Sequence, residues 1–135
     1  MIENIIIKSL LADSELNTLT SGHIYPNVAQ VKELPCVIMT SDEPTNPTND
    51  PFYYTQNLTF EIYAKTERSA QNIRNRFYEI LNRFDDYFKN DLIKSGIIIR
   101  ECHAVYASVS NHFPLENEQA RERVVSFDFK YTKCA

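Results

Sequence analysis

The stretch Tyr54–Phe88, YTQNLTFEIYAKTERSAQNIRNRFYEILNRFDDYF, decides the fold. In its first half Leu58, Phe60, Ile62 and Ala64 fall on one face of an extended chain, and Asn57, Thr59, Glu61, Tyr63 and Lys65 on the other. A period of two predicts a strand buried on one side. After Thr66 the period changes. Ala70, Ile73, Phe77, Ile80, Leu81, Phe84 and Phe88 recur at steps of three and four, a stripe along one side of a helix. Thr66 suits the N-cap, and Glu67 suits the positive end of the helix dipole. A strand feeding a helix of matching apolar face gives one sheet layer covered by one helix layer.

Upstream, Ile2, Ile5, Ile6 and Leu10 mark a face of an N-terminal helix. Asp13 or Ser14 is placed to cap a second short turn carrying Leu16 and Leu19, stopped at Ser21-Gly22. Residues 23–26 (HIYP) form a short extended piece ahead of a loop that leads into a β-branched strand, Cys36–Ser41. The segment Asp42–Pro51, DEPTNPTNDP, holds three prolines among Asn and Asp and is expected to be a long loop with no strand of its own.

Downstream, the helix is expected to fray at Asp85-Asp86 and Lys89–Asp91, and Ser95-Gly96 turns the chain into a strand over residues 97–109. Glu101 and His103 interrupt the apolar face of that strand, and a bulge near Arg100–His103 resolves the conflict. A polar segment, Asn111–Glu122, follows. In the last strand Val125, Phe127, Phe129 and Tyr131 point inward against Ser126, Asp128, Lys130 and Thr132. The expected fold is α+β, a two-layer sandwich. A mixed, mostly antiparallel sheet carries helices on one face in the order α-β-β-β-α-β-β, with a short second helix after the first. The helix crossover makes its two flanking strands parallel.

With 135 residues, 43% of them hydrophobic, the chain is expected to be a single domain spanning 1–135 with a real core. A net charge of −4 argues against a grip on nucleic acid driven by phosphate neutralisation. Glu3 before a short apolar run, with no basic region ahead of it, does not read as a signal peptide. No apolar run reaches membrane-spanning length, so no membrane partner is expected. Three widely spaced cysteines suit reduced thiols. Only Gly22 and Gly96 are present, and phosphate-cradling loops need several glycines, so nucleotide fingerprints are excluded.

The search for chemistry gives no enzyme. Cys102 and His103, adjacent on a strand, point to opposite faces and cannot readily share a metal. No nucleophile elbow flanks Cys36 or Cys102. Glu61 and Lys65 lack the spacing of a nuclease pair. Arg68, Arg74, Arg76 and Arg83 interleave with Glu79 as a wet helix face, and Tyr53 and Tyr63 lack any RNA-binding motif around them. No catalytic, metal or cofactor-binding residue is expected, and no cofactor. Three strands of about 12 residues would each span roughly 40 Å, slightly more than the expected body, so their ends and edges should seek partners.

One resemblance covers residues 1–133. Ile24-Tyr25-Pro26 after a helix and polar turn, the proline-led strand Leu34-Pro35-Cys36-Val37-Ile38-Met39, and Phe60–Ala64 (FEIYA) running into a helix near Ser69-Ala70 together resemble the tail terminator and tail completion (tail-to-head joining) proteins of long-tailed phages. The resemblance implies a structural virion protein of the phage tail, assembled in the host cytoplasm. It implies a hexameric ring at the head-proximal end of the tail that ends the tail tube and joins it to the head. The implied partners are further copies of the chain, the tail tube protein and the head-side neck or connector proteins. DNA would pass through the lumen without specific binding. The candidate interface residues are Asp42, Glu43, Asn46, Asp50, Phe52, Tyr53, Asn111, His112, Phe113, Glu116, Glu118 and Arg121. The alternative is a small α+β binding module, regulatory or RNA-binding, acting as monomer or dimer.

Overall fold

Local sequence signals set the elements in chain order. The computed structural model describes residues 2–26, 33–46, 52–82, 96–115 and 118–133. Helix α1 (Ile2–Ala12) is followed by α2 (Ser14–Thr20). Asp13 caps α2 by accepting a 2.8 Å bond from the Leu16 amide, and Ser21, left-handed at φ 55°, ends it. Strands β1 (Ile24–Pro26), β2 (Cys36–Ser41) and β3 (Tyr53–Ala64) lead to helix α3 (Glu67–Asn82). Thr66 caps α3 as expected, its hydroxyl accepting from the Ser69 amide at 3.1 Å. Strands β4 (Ile97–Leu115) and β5 (Glu118–Lys133) close the sequence of elements. The helix positions expected at Phe84–Asp91 lie outside the described residues.

The five strands form one mixed sheet in the order β1-β2-β3-β5-β4. The β1–β2 pair is parallel, and the β2–β3, β3–β5 and β4–β5 pairs are antiparallel. The α+β class and the mostly antiparallel sheet are therefore as expected. The strands flanking α3 do run parallel, but β5 is inserted between them. This insertion completes the core, because Val125, Phe127, Phe129 and Tyr131 of β5 lie beside Leu58, Phe60 and Ile62 of β3 under the helices. Phe60 meets Phe77 of α3 at 4.7 Å between ring centroids.

Two boundaries differ from the sequence reading. The polar segment 111–122 is not a loop, because β4 continues to Leu115 and β5 starts at Glu118, with ladder pairs Asn111↔Arg121, His112↔Ala120 and Leu115↔Glu118. Backbone pairing sustains the strands where side-chain alternation has stopped. The anticipated bulge is present between Ile99 and Glu101, with further register shifts between Ala104 and Tyr106 and between His112 and Leu115. The first shift turns Glu101 outward to Lys130 (3.2 Å) and lets Cys102 pack at the edge of the core.

Ion pairs tie the helices down. Arg76 of α3 was expected on a wet face pairing with Glu79, and it makes that pair at 2.8 Å. It is nonetheless only 14% exposed, because Nε and Nη2 also grip both carboxylate oxygens of Asp13 at 3.0 and 2.6 Å. Glu67 sits in the first turn of α3, where the sequence places it, and also accepts a 2.8 Å bond from Arg123 of β5, a guanidinium 3% exposed.

Candidate functional site

The two segments singled out by sequence lie at opposite ends of the sheet. Tyr53, at the start of β3, pairs with Thr132, and Ala64, at its end, pairs with Arg121. Twelve residues of β3 separate the two ends by about 40 Å. Segment 42–46 and Phe52-Tyr53 stand at one end, and the β4–β5 hairpin tip stands at the other.

At the first end the chain leaving β2 does not swing free. The Asp42 amide donates to the Asn57 carbonyl at 3.1 Å, and Thr45 exchanges two 2.8 Å backbone bonds with Thr55. The hydroxyls of Thr45 and Thr55 lie 2.7 Å apart. Segment 42–46 therefore runs along β3, with Asp42, Glu43 and Asn46 exposed. Phe52 is 46% exposed and Tyr53 half-buried. Asp50 lies outside the described residues.

On the helix side of this end is a cavity of about 340 Å³, lined by Ile2, Ile5, Pro44, Tyr54, Ile97 and Tyr131 among others. Tyr54 and Tyr131 stack across its floor with centroids 5.7 Å apart. Beside it runs a buried polar chain that sequence reading missed. Tyr131 donates to the Gln56 amide oxygen at 2.9 Å, Gln56 donates to Glu3 of α1, and Ser41 donates to the same carboxylate at 3.3 Å. Gln56 and Tyr131 are each 3% exposed. Burial pushes the Tyr131 phenol up to about 12. The one available signal was position, since Gln56 lies two residues before Leu58 on the inward face.

At the second end, Asn111, His112, Phe113, Glu118 and Arg121 all belong to the paired strands of the hairpin. Residues 112–115 and 118–120 extend past Ala64, the last residue of β3. Glu116 lies outside the described residues. The structure therefore groups Asp42, Glu43, Asn46, Phe52 and Tyr53 at one end and these five at the other, without bringing the two groups together.

Between the ends, the sheet face turned away from the helices carries a laterally bonded polar surface. Asn57 donates to Asp128 at 2.9 Å, Thr59 and Ser126 lie 3.0 Å apart, and both donate to the Asn57 side-chain oxygen. Tyr63, weighed for base stacking, is 6% exposed and donates to Glu61 at 3.1 Å; burial raises its ionisation well above the ordinary value. With Cys36 and Ile38 it fills a small second cluster against Tyr25 and Leu34. Among the described residues no group of three or more His, Cys, Asp or Glu is placed to hold a metal. Burial pushes the Cys36 and Cys102 thiols up to about 11 and about 12, which leaves them protonated and poorly nucleophilic at neutral pH. Among the described residues no helix is long and apolar enough to cross a membrane.

No protein-family model matches the chain, and no curated protein matches it. Among solved structures, a chain from the virion of a native gene transfer agent (GTA) particle has a similar fold, with TM-score 0.63 and 10% sequence identity. The match covers 94% of this chain and 91% of the other. At that identity the likeness is one of fold.

Proposed function

We propose that the protein is a structural, non-enzymatic component of a phage virion, a ring at the head-proximal end of the tail that ends the tail tube and joins it to the head. The observation that carries this reading is the near full-length fold likeness to a chain of a gene transfer agent virion. It agrees with the tail terminator and tail completion resemblance carried by residues 24–26, 34–39 and 60–70. Two surfaces at opposite ends of a rigid sheet also suit a part that must meet a different neighbour on each side. A ring built head to tail from one chain has two unlike faces.

In this reading six copies form the ring. The 42–53 end and the hairpin tip contact the tail tube protein on one side and the neck or connector proteins on the other. The exposed carboxylates Asp42 and Glu43 are candidates for the lumen, where negative charge keeps passing DNA from adhering. Assembly takes place in the host cytoplasm and the protein resides in the tail.

Electron microscopy of particles made without the protein tests this. Over-long tails are expected if the ring ends the tube, and filled heads that leak DNA if it mainly seals the joint. Tails of normal length on intact, joined heads would remove the proposal. The binding-module alternative predicts a chain that stays monomeric or dimeric both in solution and on isolated tail tubes, which light scattering and sedimentation decide. Reversing Asp42 and Glu43 to lysine tests the lumen assignment separately, with slowed DNA passage the expected result.

A further inference from the structure

Independently of the ring reading, we infer that two copies of the free chain pair through the open edge of β4. Residues 106–112 of one copy run antiparallel to the same residues of the other, across a two-fold axis at Val109. Main-chain geometry leads there.

The direction of the backbone hydrogen bonds can be followed across the sheet. In an antiparallel ladder, successive residues turn their N–H and C=O groups to opposite sides. Thr55 exchanges both backbone bonds with Thr45, and the Asn57 carbonyl accepts from the Asp42 amide, so the odd-numbered residues of β3 face away from β5. The even-numbered ones face β5, and the Phe52 carbonyl just ahead of them accepts from the Lys133 amide at 2.7 Å. The register of β3 on β5 is unbroken, so odd residues of β5 are spent on β3 and even ones on β4. Ser126, Val124, Glu122 and Ala120 lie opposite Tyr106, Ser108, Ser110 and His112, which are therefore the β4 residues bonded to β5. Ala107, Val109 and Asn111, between them, point their amides and carbonyls off the sheet, where no described strand lies.

This run complements itself. Residues 106–112 are the longest part of β4 without a register shift, bounded by the shifts between Ala104 and Tyr106 and between His112 and Leu115. Val109 is the middle residue. A second copy turned about it sets Val109 opposite Val109 and Ala107 opposite Asn111 on either side, each pair exchanging two hydrogen bonds.

The other bare strands among the described residues cannot take that place. At β1 the Val37 amide bonds the His23 carbonyl, which turns Ile24 and Pro26 outward. The Ile24 amide is already bonded to the Gly22 carbonyl, and Pro26 has no N–H. Segment 42–46 gives its Asp42 and Thr45 amides to β3 and holds Pro44 between them. Beyond Ala64, β5 turns only Gln119 to the side that β3 has left. A second copy therefore meets this edge with its own β4. Such a contact is isologous and closes at two copies, covering an edge that would otherwise recruit strands without limit. A head-to-tail ring needs different contacts, so the pair is a form of the unassembled chain.

Amide hydrogen exchange read by NMR, in dilute and in concentrated solution and beside sedimentation equilibrium, tests this. The amides of Tyr106, Ser108 and Ser110 should exchange slowly at every concentration. Those of Ala107, Val109 and Asn111 should exchange fast in dilute solution and about tenfold or more slower once the dimer forms. Val109→Pro removes the central donor and no bond to β5, and should raise the concentration needed for pairing roughly tenfold or more. Its melting temperature shows whether it folds; if it does not, the exchange pattern of the wild type decides alone. Three results overturn the pairing: a dimer whose amides at 107, 109 and 111 stay fast, a folded Val109→Pro chain that pairs like wild type, or a wild type still monomeric at about 1 mM. The last would leave the edge to a strand from a different protein. Rings on tail tubes, present or absent, bear on the ring reading alone.

Discussion

Arg76 and Asp13 form the joint on which the helix layer turns. Asp13 both caps α2 and receives two bonds from Arg76, and its side chain is 7% exposed. The Arg76 hydrogen bonds hold its carboxyl below the ordinary value of 3.8. A lowered folded value means the contribution is full above that ordinary value and is lost as pH falls through the folded one. Asp13→Ala is expected to lose about 2 kcal/mol in urea unfolding at pH 7, from a missing cap and the loss of the two Arg76 hydrogen bonds. Asp13→Asn keeps the cap, and its deficit against wild type should shrink as pH drops below 4. At the other end of α3, Arg123 is almost wholly buried and Glu67 half in water, at 62% side-chain exposure. Glu67→Ala removes a charged acceptor from a buried cation and should cost about 2 kcal/mol, whereas Arg123→Met removes the charge itself and should cost less. The same urea titrations rank the two.

At the scale of elements, the decisive contact is α3 on β3 and β5. Phe77 has no exposure and packs against Phe60. Phe77→Ala should destabilise by about 3–5 kcal/mol, seen as a lower urea midpoint with an unchanged slope. This contact was legible in the sequence because burial writes itself into spacing. Leu58, Phe60 and Ile62 at period two and Ile73, Phe77 and Leu81 at helical period face the same interior. Other features left no such mark. The hairpin runs through 111–122 on backbone hydrogen bonds, which any side chain allows. The insertion of β5 depends on which distant strands pair, and no local pattern encodes that. At the candidate site, composition exposed the 42–46 segment. The pairing of Gln56 with Glu3 was not legible, because a buried polar chain is recognisable only once its partners are brought together.

At the scale of the molecule, stability and the proposed joining role are expected to separate. The hairpin tip runs on past Ala64, the last residue of β3, with residues 112–115 and 118–120 paired across their own hairpin. Replacing residues 112–119 by a two-residue Asn-Gly turn should therefore leave stability within about 1 kcal/mol. The shortened protein should unfold at nearly the wild-type temperature yet fail to complete tails in vitro. Loss of fold in this variant would show that the tip is structural. Normal completion would exclude it as a joining surface.

The position of β5 carries one more consequence. The strand inserted between β3 and β4 is the last to leave the ribosome among those described, and β3 bonds to it along its whole length. Until residues 121–132 have emerged, a nascent chain holds β3 with one bare edge and a helix layer lying on half a floor. Such a chain cannot close its interior early, nor offer the finished plate to neighbours. A copy cut short before residue 121 lacks the strand that joins β3 to β4 and cannot complete the core around Leu58, Phe60 and Ile62, which leaves it open to proteolysis.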